Sequence, residues 1–186
     1  MCEKDKPVRL LGSKGDIMSD QNVRSDIENI MSKYGDLLFK TCVLTVKNKY
    51  DAEDIVQETM LKYYMASKDF KDDEHKKAWL LRVSQNMCKN LLDYKKRHAH
   101  ISYDELEGFI ESETSYSVGA MEEFLKIANL DYKYQSVIVL HYFEDLSVEE
   151  VADILEISVS ATKMRLKRAR EKLKKIYKKH YSEEVL

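Results

Sequence analysis

The chain has 186 residues, a formal charge of −2, 44% apolar and 34% charged residues, one proline and five glycines. That composition suits one domain or two small ones and favours long helices over sheets with tight turns. The sequence has no apolar run of bilayer length, no continuous apolar leader core at its N-terminus, and no C-x-x-C pair among Cys2, Cys42 and Cys88, which argues against membrane insertion, a secretory signal, a disulfide framework and a structural zinc site.

The expected compartment is therefore the cytoplasm. Residues 1–22 lack clear periodicity and read as a flexible tail. Ile27, Ile30, Met31, Tyr34, Leu38, Cys42 and Val46 then recur at helical spacing, with Gly35 as a place where the segment bends or divides. A second helix is expected to begin at Asp51 as N-cap, with Asp54 at N3. Ala52, Val56, Thr59, Met60 and Tyr63 make its core face. Asp51, Asp54 and Glu58 cluster on the other side with Gln57 beside them. Paired carboxylates raise acid–base or metal chemistry, yet no His, Gly-rich loop or other ligand pattern accompanies them. A solvated face and a docking face for a basic or polar partner remain.

"SKDFKDDEH", residues 67–75, reads as a polar loop, and a third helix is expected over about 76–97. Trp79, Leu80, Val83, Met87, Leu91 and Tyr94 form one stripe of it. Arg82, Gln85, Asn86, Lys89, Asp93 and Lys96 form the opposite face, where amides and cations are the groups that base edges and phosphates require. Cys88 reads as a packed or half-exposed thiol. Residues 98–119 are acidic, rich in Ser and Glu and weakly patterned, as expected of a linker between two helical domains. Further helices are expected near Ala120 and Asp131.

Charge is distributed in blocks. Residues 101–160 hold fourteen acids and two bases, whereas residues 161–180 hold ten bases and one acid. A basic surface for a polyanion, set apart from an acidic surface facing something else, is the physical reading of that asymmetry. In "LSVEEVADILEISVSATKMRL", Ser147 and Glu150 form a capping box, and Ser158 or Ser160 caps the next helix. Two short-linked helices of this kind fit a helix-turn-helix. Glu156 occupies its turn, where glycine is common. Thr162, Leu166, Ala169, Leu173 and Ile176 form the buried stripe of the second helix. Met164, Lys167, Arg168 and Glu171 lie opposite, with Lys163, Arg165 and Arg170 on the flanks.

"DAEDIVQETMLKYY", "AWLLRVSQNMCKNLLDYKKR" and "YQSVIVLHYFEDLSVEEVADILEISVSATKMRLKRAREKL" together resemble, in order and spacing, the extracytoplasmic-function group of bacterial sigma-70 RNA polymerase sigma factors. The resemblance covers about residues 25–178. It implies an all-α chain: a region 2 helical bundle (23–98) and a region 4 helix-turn-helix (120–181), joined by a flexible linker (99–119) and flanked by tails (1–22 and 182–186). It implies that Asp51, Asp54, Gln57 and Glu58 contact the β′ clamp helices of core polymerase, the β subunit being a further partner. Arg82, Gln85, Asn86, Lys89 and Lys96 would face the −10 promoter DNA, with Asn86 and the 67–76 loop at a flipped base. Lys163, Met164, Arg165, Lys167 and Arg168 would approach the −35 element. The linker would run near the RNA exit path. Family members commonly have an anti-sigma protein as inhibitor. The resemblance implies promoter recognition and opening by a dissociable polymerase subunit with no catalytic residues, cofactor or metal of its own. The main rival is a stand-alone helix-turn-helix regulator, which would need a dimer interface and palindromic half-sites. An enzyme with a helix-turn-helix accessory domain and a helical interaction protein are the others.

Overall fold

The apolar repeat from Ile27 to Val46 forms one helix, α1 (Asp20–Val46), in a computed structural model that describes residues 20–66, 69–98 and 130–183. Gly35 does not divide it. A Cβ at that position would sit 3.1 Å from the sulfur of Met31 one turn back, so the glycine makes room for a side chain. Lys47, at φ 59°, closes the helix by donating its N–H to the Val43 carbonyl at 2.8 Å, a left-handed cap.

α2 (Lys49–Ala66) begins two residues before the position expected from Asp51. The cap is Asn48, whose side-chain oxygen accepts the Asp51 N–H at 2.9 Å, and Asp51 falls in the first turn. α3 (Asp73–Arg97) also begins early, because the Asp72 carboxylate accepts the His75 N–H at 2.7 Å. The residues "DEH", expected in a loop, are its first turn. Asp73 and Glu74 at its start and Lys95, Lys96 and Arg97 at its end complement the helix dipole.

The expected linker, 99–119, and the expected helix near Ala120 lie outside the described residues. Past them, α4 (Tyr132–Ile138) starts beside Asp131 as expected and continues into a π-helical turn, Val139–Phe143. α5 (Val148–Ile154) carries the expected capping box: the Glu150 N–H donates to the Ser147 hydroxyl at 3.2 Å and the Ser147 N–H to the Glu150 carboxylate at 2.7 Å. Ser147, through its hydroxyl first and then its N–H, holds the Glu150 pKa below its usual value. The cap is accordingly intact above the ordinary carboxylate range and weakens as pH falls through the depressed pKa. α6 (Val159–Glu183) starts at Ser158, whose hydroxyl accepts the Ala161 N–H at 3.1 Å. No strand occurs among the described residues.

Glu156 sits between α5 and α6 with φ 53°, in the left-handed region that costs an L residue energy and glycine little. Replacing Glu156 by Gly is expected to raise stability by about 0.5–1 kcal/mol, measured as a higher denaturant midpoint at unchanged m-value.

α1, α2 and α3 pack on one another. α4 and α5 pack on α6. The two groups also meet, through α1 and α3 on one side and α4, the π-turn and α5 on the other. Thr41 to Val46, six successive residues, are all buried, which a helix achieves only when enclosed on every side. One cluster of buried side chains runs from Ile30 in α1 to Ala169 in α6. The halves therefore share a core, a placement that sequence patterning leaves open.

Candidate polymerase and nucleic-acid interface

The outer face of α2 is built by what its inner face must bury. Ala52, Ile55, Val56, Thr59 and Met60 are buried, and their spacing turns Asp54, Gln57 and Glu58 to solvent. Asp51 is different. Its carboxylate accepts from the Lys95 ammonium of α3 at 2.6 Å and is mostly covered, so this acid ties α2 to α3. Among the described residues Glu58 makes an exposed in-helix pair with Lys62 at 3.5 Å, worth a few tenths of a kcal/mol. Leu61, Tyr64 and Met65 continue the same outward face and are 48%, 49% and 71% exposed. Large apolar groups left in water beside a charged patch mark a contact surface. Sequence patterning passed over them because apolar residues in a helix are first assigned to its core. A groove between α1 and α2, lined by Ile27, Met31, Gly35, Phe39, Val56 and Gln57, opens beside this face.

On α3 the expected polar face divides in two. Asn86, Lys89 and Lys96 are exposed. Gln85, expected among them, is fully buried, and Arg82 is half-buried. α4 and α5 cover this end of α3. Tyr132 donates its hydroxyl to the Gln85 carbonyl at 3.0 Å, and Arg82 donates to the Asp153 carboxylate at 2.7 Å. Tyr94, expected in the core stripe, is 54% exposed and stacks on His98 at 4.1 Å instead. Cys88 is packed in the core, as one of its two expected readings. The neighbouring Cys42 thiol, and then burial, push its thiol pKa well up, away from the reactive thiolate.

Before α3, Phe70 stacks on Tyr63 at 5.8 Å and meets Trp79 edge-on at 5.7 Å, with the His75 ring edge-on at 5.7 Å. Burial, and then the nearby Asp26 charge, push the Tyr63 hydroxyl up to about 12, so it stays a neutral donor to Asp26. Phe70 is half-buried, one face packed and the remainder accessible. An aromatic floor of this kind can stack an unpaired base.

α6 buries Thr162, Leu166 and Ala169, the expected stripe, with Leu173 and Ile176 half-buried along it. Lys163, Met164, Lys167, Arg168 and Arg170 are exposed as a result. Met164 is 50% exposed, an apolar group placed among cations, which suits contact with a thymine methyl. Arg165 is half-buried. Arg170 donates to the Tyr142 hydroxyl at 3.3 Å. Among the described residues no group of three or more His, Cys, Asp or Glu could hold a metal ion, and no helix is long and apolar enough to cross a membrane.

Models of known families match the chain twice: "Sigma-70 region 2" over residues 30–98 and "Sigma-70, region 4" over residues 125–173. The chain is 31% identical over 172 residues to the ECF RNA polymerase sigma factor SigW of Bacillus subtilis, covering 84% of this chain and 89% of that protein. It is 32% identical to RNA polymerase sigma factor SigV of the same organism over 67% of this chain and 74% of that one. Among solved structures, the sigma factor RpoE from Bartonella quintana, crystallised with the anti-sigma factor NepR, superposes with a TM-score of 0.65 at 24% identity. The match covers 83% of this chain and 98% of that one. CnrH, solved in complex with the cytosolic domain of CnrY, gives 0.61 at 23% identity over 83% and 89%.

Proposed function

The chain belongs to the sigma-70 family of RNA polymerase sigma factors, in its extracytoplasmic-function group, and from that membership we propose a division of labour along its helices. As a sigma factor it directs promoter-specific transcription, and sigma factors are non-enzymatic: the polymerase makes the RNA. Residues 23–98 carry polymerase binding and −10 recognition, 99–119 the link, and 120–181 −35 recognition. The exposed face of α2, Asp54, Gln57 and Glu58 extended by Leu61 and Met65, takes the polymerase clamp helices. Asp51 acts through its Lys95 pair rather than by contact. Asn86, Lys89 and Lys96 meet −10 DNA beside the Phe70 floor, joined by Arg82 and Gln85 once those are uncovered. Melting works by capture, since a base held outside the stack offsets an unstacking cost of roughly a few kcal/mol. Lys163, Met164, Lys167 and Arg168 meet −35 bases. Cytoplasmic residence and an inhibitor of the anti-sigma class complete the reading.

One observation carries it: the buried stripe of α6 turns a row of cations outward in a capped helix-turn-helix, on a chain whose α2 leaves acidic and apolar groups exposed. Adding the purified chain to core polymerase and sequencing transcript 5′ ends tests it. The expected result is a set of discrete starts absent with core alone, each preceded by two shared elements at fixed spacing. A stand-alone regulator would instead protect palindromic sites without polymerase and add no starts.

A further inference from the structure

Arg170 stands on the flank of α6, outside the base-facing set. Lys163, Lys167, Arg170 and Lys174 follow at spacings of four, three and four, so they share that flank, and all four are exposed. Arg170 reaches across to the π-turn after α4 and donates through Nη1 to the Tyr142 hydroxyl at 3.3 Å. Tyr142 is 47% exposed, and the turn that presents it is closed from behind. The Leu146 N–H donates to the Leu140 carbonyl at 3.3 Å. His141 donates from Nδ1 to the Leu146 carbonyl at 2.7 Å, since a carbonyl can only accept. Asp145, at φ 53°, makes the left-handed step between them. The His141 ring then lies edge-on to the Tyr142 ring at 4.8 Å. A π-turn is a rare interruption of a helix, and such turns gather at functional sites. This one keeps Val139 and Leu140 in the core and sets Tyr142 beside a cation of the basic helix.

We propose that Tyr142 and Arg170 together hold one backbone phosphate of the −35 DNA, the tyrosine fixing the guanidinium and adding its own proton. This rests on the reading of α6 as the −35 helix given above. A phenol is uncharged at neutral pH, so it fixes Arg170 without cancelling its charge, as a carboxylate would. Its oxygen accepts from Arg170, which leaves its proton to donate. The remaining guanidinium N–H groups and that hydroxyl are donors of the kind phosphate oxygens accept. A cation row on the flank of a helix in the major groove lies against the phosphates of one strand, which favours DNA over an acidic protein surface. Arginine on a flexible stem loses rotamer freedom when it binds, and a preset guanidinium loses less.

The test uses holoenzyme and a promoter fragment taken from the transcript starts mapped above. Around its −35 element one phosphate at a time is replaced by an uncharged methylphosphonate, and binding is measured for each fragment. With the unaltered protein, one replacement on the strand facing this flank is expected to weaken binding by about 3- to 10-fold through loss of the paired bonds. Tyr142→Phe, which keeps the ring, and Arg170→Ala, at an exposed position, should each weaken binding to the natural fragment by a similar factor. Each should also abolish the penalty at that same phosphate and keep the penalties elsewhere. A merely structural role for Tyr142 would lower binding without erasing a single phosphate. Arg170→Ala should flatten the dependence of log K on log salt by about one phosphate's worth, whereas Tyr142→Phe, which removes no charge, should leave it unchanged. The two losses should combine to less than their product, because they share one ligand.

Variants that keep every phosphate penalty overturn the proposal and leave the −35 reading standing. Penalties erased at two different phosphates overturn it too, as does an erasure by Arg170→Ala that Tyr142→Phe does not reproduce. Weaker binding of core polymerase with an unchanged phosphate pattern would place the pair on an acidic polymerase surface and reject the phosphate. If no −35 phosphate matters to the unaltered protein, the −35 reading of α6 fails and this pair fails with it.

Discussion

Asp54→Arg combined with Glu58→Arg is expected to weaken binding of core polymerase by about 10- to 100-fold, with the circular dichroism spectrum unchanged. Both carboxylates are exposed, and among the described residues their ion pairing is limited to the weak in-helix Glu58–Lys62 pair, so neither holds the fold. Folding should therefore tolerate the change to within about 0.5 kcal/mol. Reversing two charges on a complementary surface replaces attraction with repulsion, and like charges facing one another at an interface cost several kcal/mol. Salt should partly restore binding to the variant, because screening weakens the repulsion. Asp51→Arg is the informative contrast. It breaks the 2.6 Å bond to Lys95 and sets two cations together between α2 and α3, so it should lower the melting temperature as well as polymerase affinity. Affinity unchanged in the double variant, at low and moderate salt, would move the polymerase contact away from this face.

The contrast between Asp51 and its neighbours shows where sequence reading succeeds. Helical angles sorted most of α2 into a buried face and an exposed one, since Ala52, Val56, Thr59 and Met60 are buried and Asp54, Gln57 and Glu58 are not, but they put Asp51, mostly covered by its bond to Lys95, with the exposed set. They sorted α6 equally well, down to the buried Thr162, whose hydroxyl donates to the Ser158 carbonyl at 3.2 Å. Local signals read well for the same reason. The Ser147–Glu150 box and the left-handed Glu156 depend on residues a few positions apart. The two early helix starts were missed because Asn48 and Asp72 compete with nearby acids for the cap, and several candidates in a row satisfy the same rule.

Periodicity failed on α3, and for a different cause. A stripe rule assumes one buried face, but α3 is packed by α1 and α2 on one side and by α4 and α5 on another. Gln85 lies under that second contact, where Tyr132 bonds its carbonyl, while Tyr94 is left in solvent. The same contact encloses Thr41 to Val46. Contacts between residues more than forty positions apart, such as Tyr132 with Gln85 and Arg82 with Asp153, leave no trace in local spacing. That is why the set proposed to meet −10 DNA divides into residues already exposed and residues under cover.

On the basic helix, Arg168→Ala is expected to relax the preference at one −35 base pair, while Arg165→Ala weakens all promoters about equally. Leu166 and Ala169 are buried beneath the helix, and this fixes its rotation. Lys167 and Arg168 then face outward, whereas Arg165 is half-covered at the flank of that face. An arginine that faces the groove floor can pair with the O6 and N7 of guanine, worth about 1–3 kcal/mol of discrimination. Its loss is therefore read as reduced selectivity at a single position, roughly 5- to 150-fold in relative activity. A flank arginine neutralises phosphate, so its loss lowers activity on every sequence and flattens the dependence of log K on log salt by about one phosphate's worth. Both variants are to be scored as holoenzymes on a promoter library varied at each −35 position. Uniform loss from Arg168→Ala with an altered base preference from Arg165→Ala would mean that α6 lies in the groove rotated from the face its buried stripe defines. No effect from either would mean that the cations of this helix serve a polyanion other than −35 DNA.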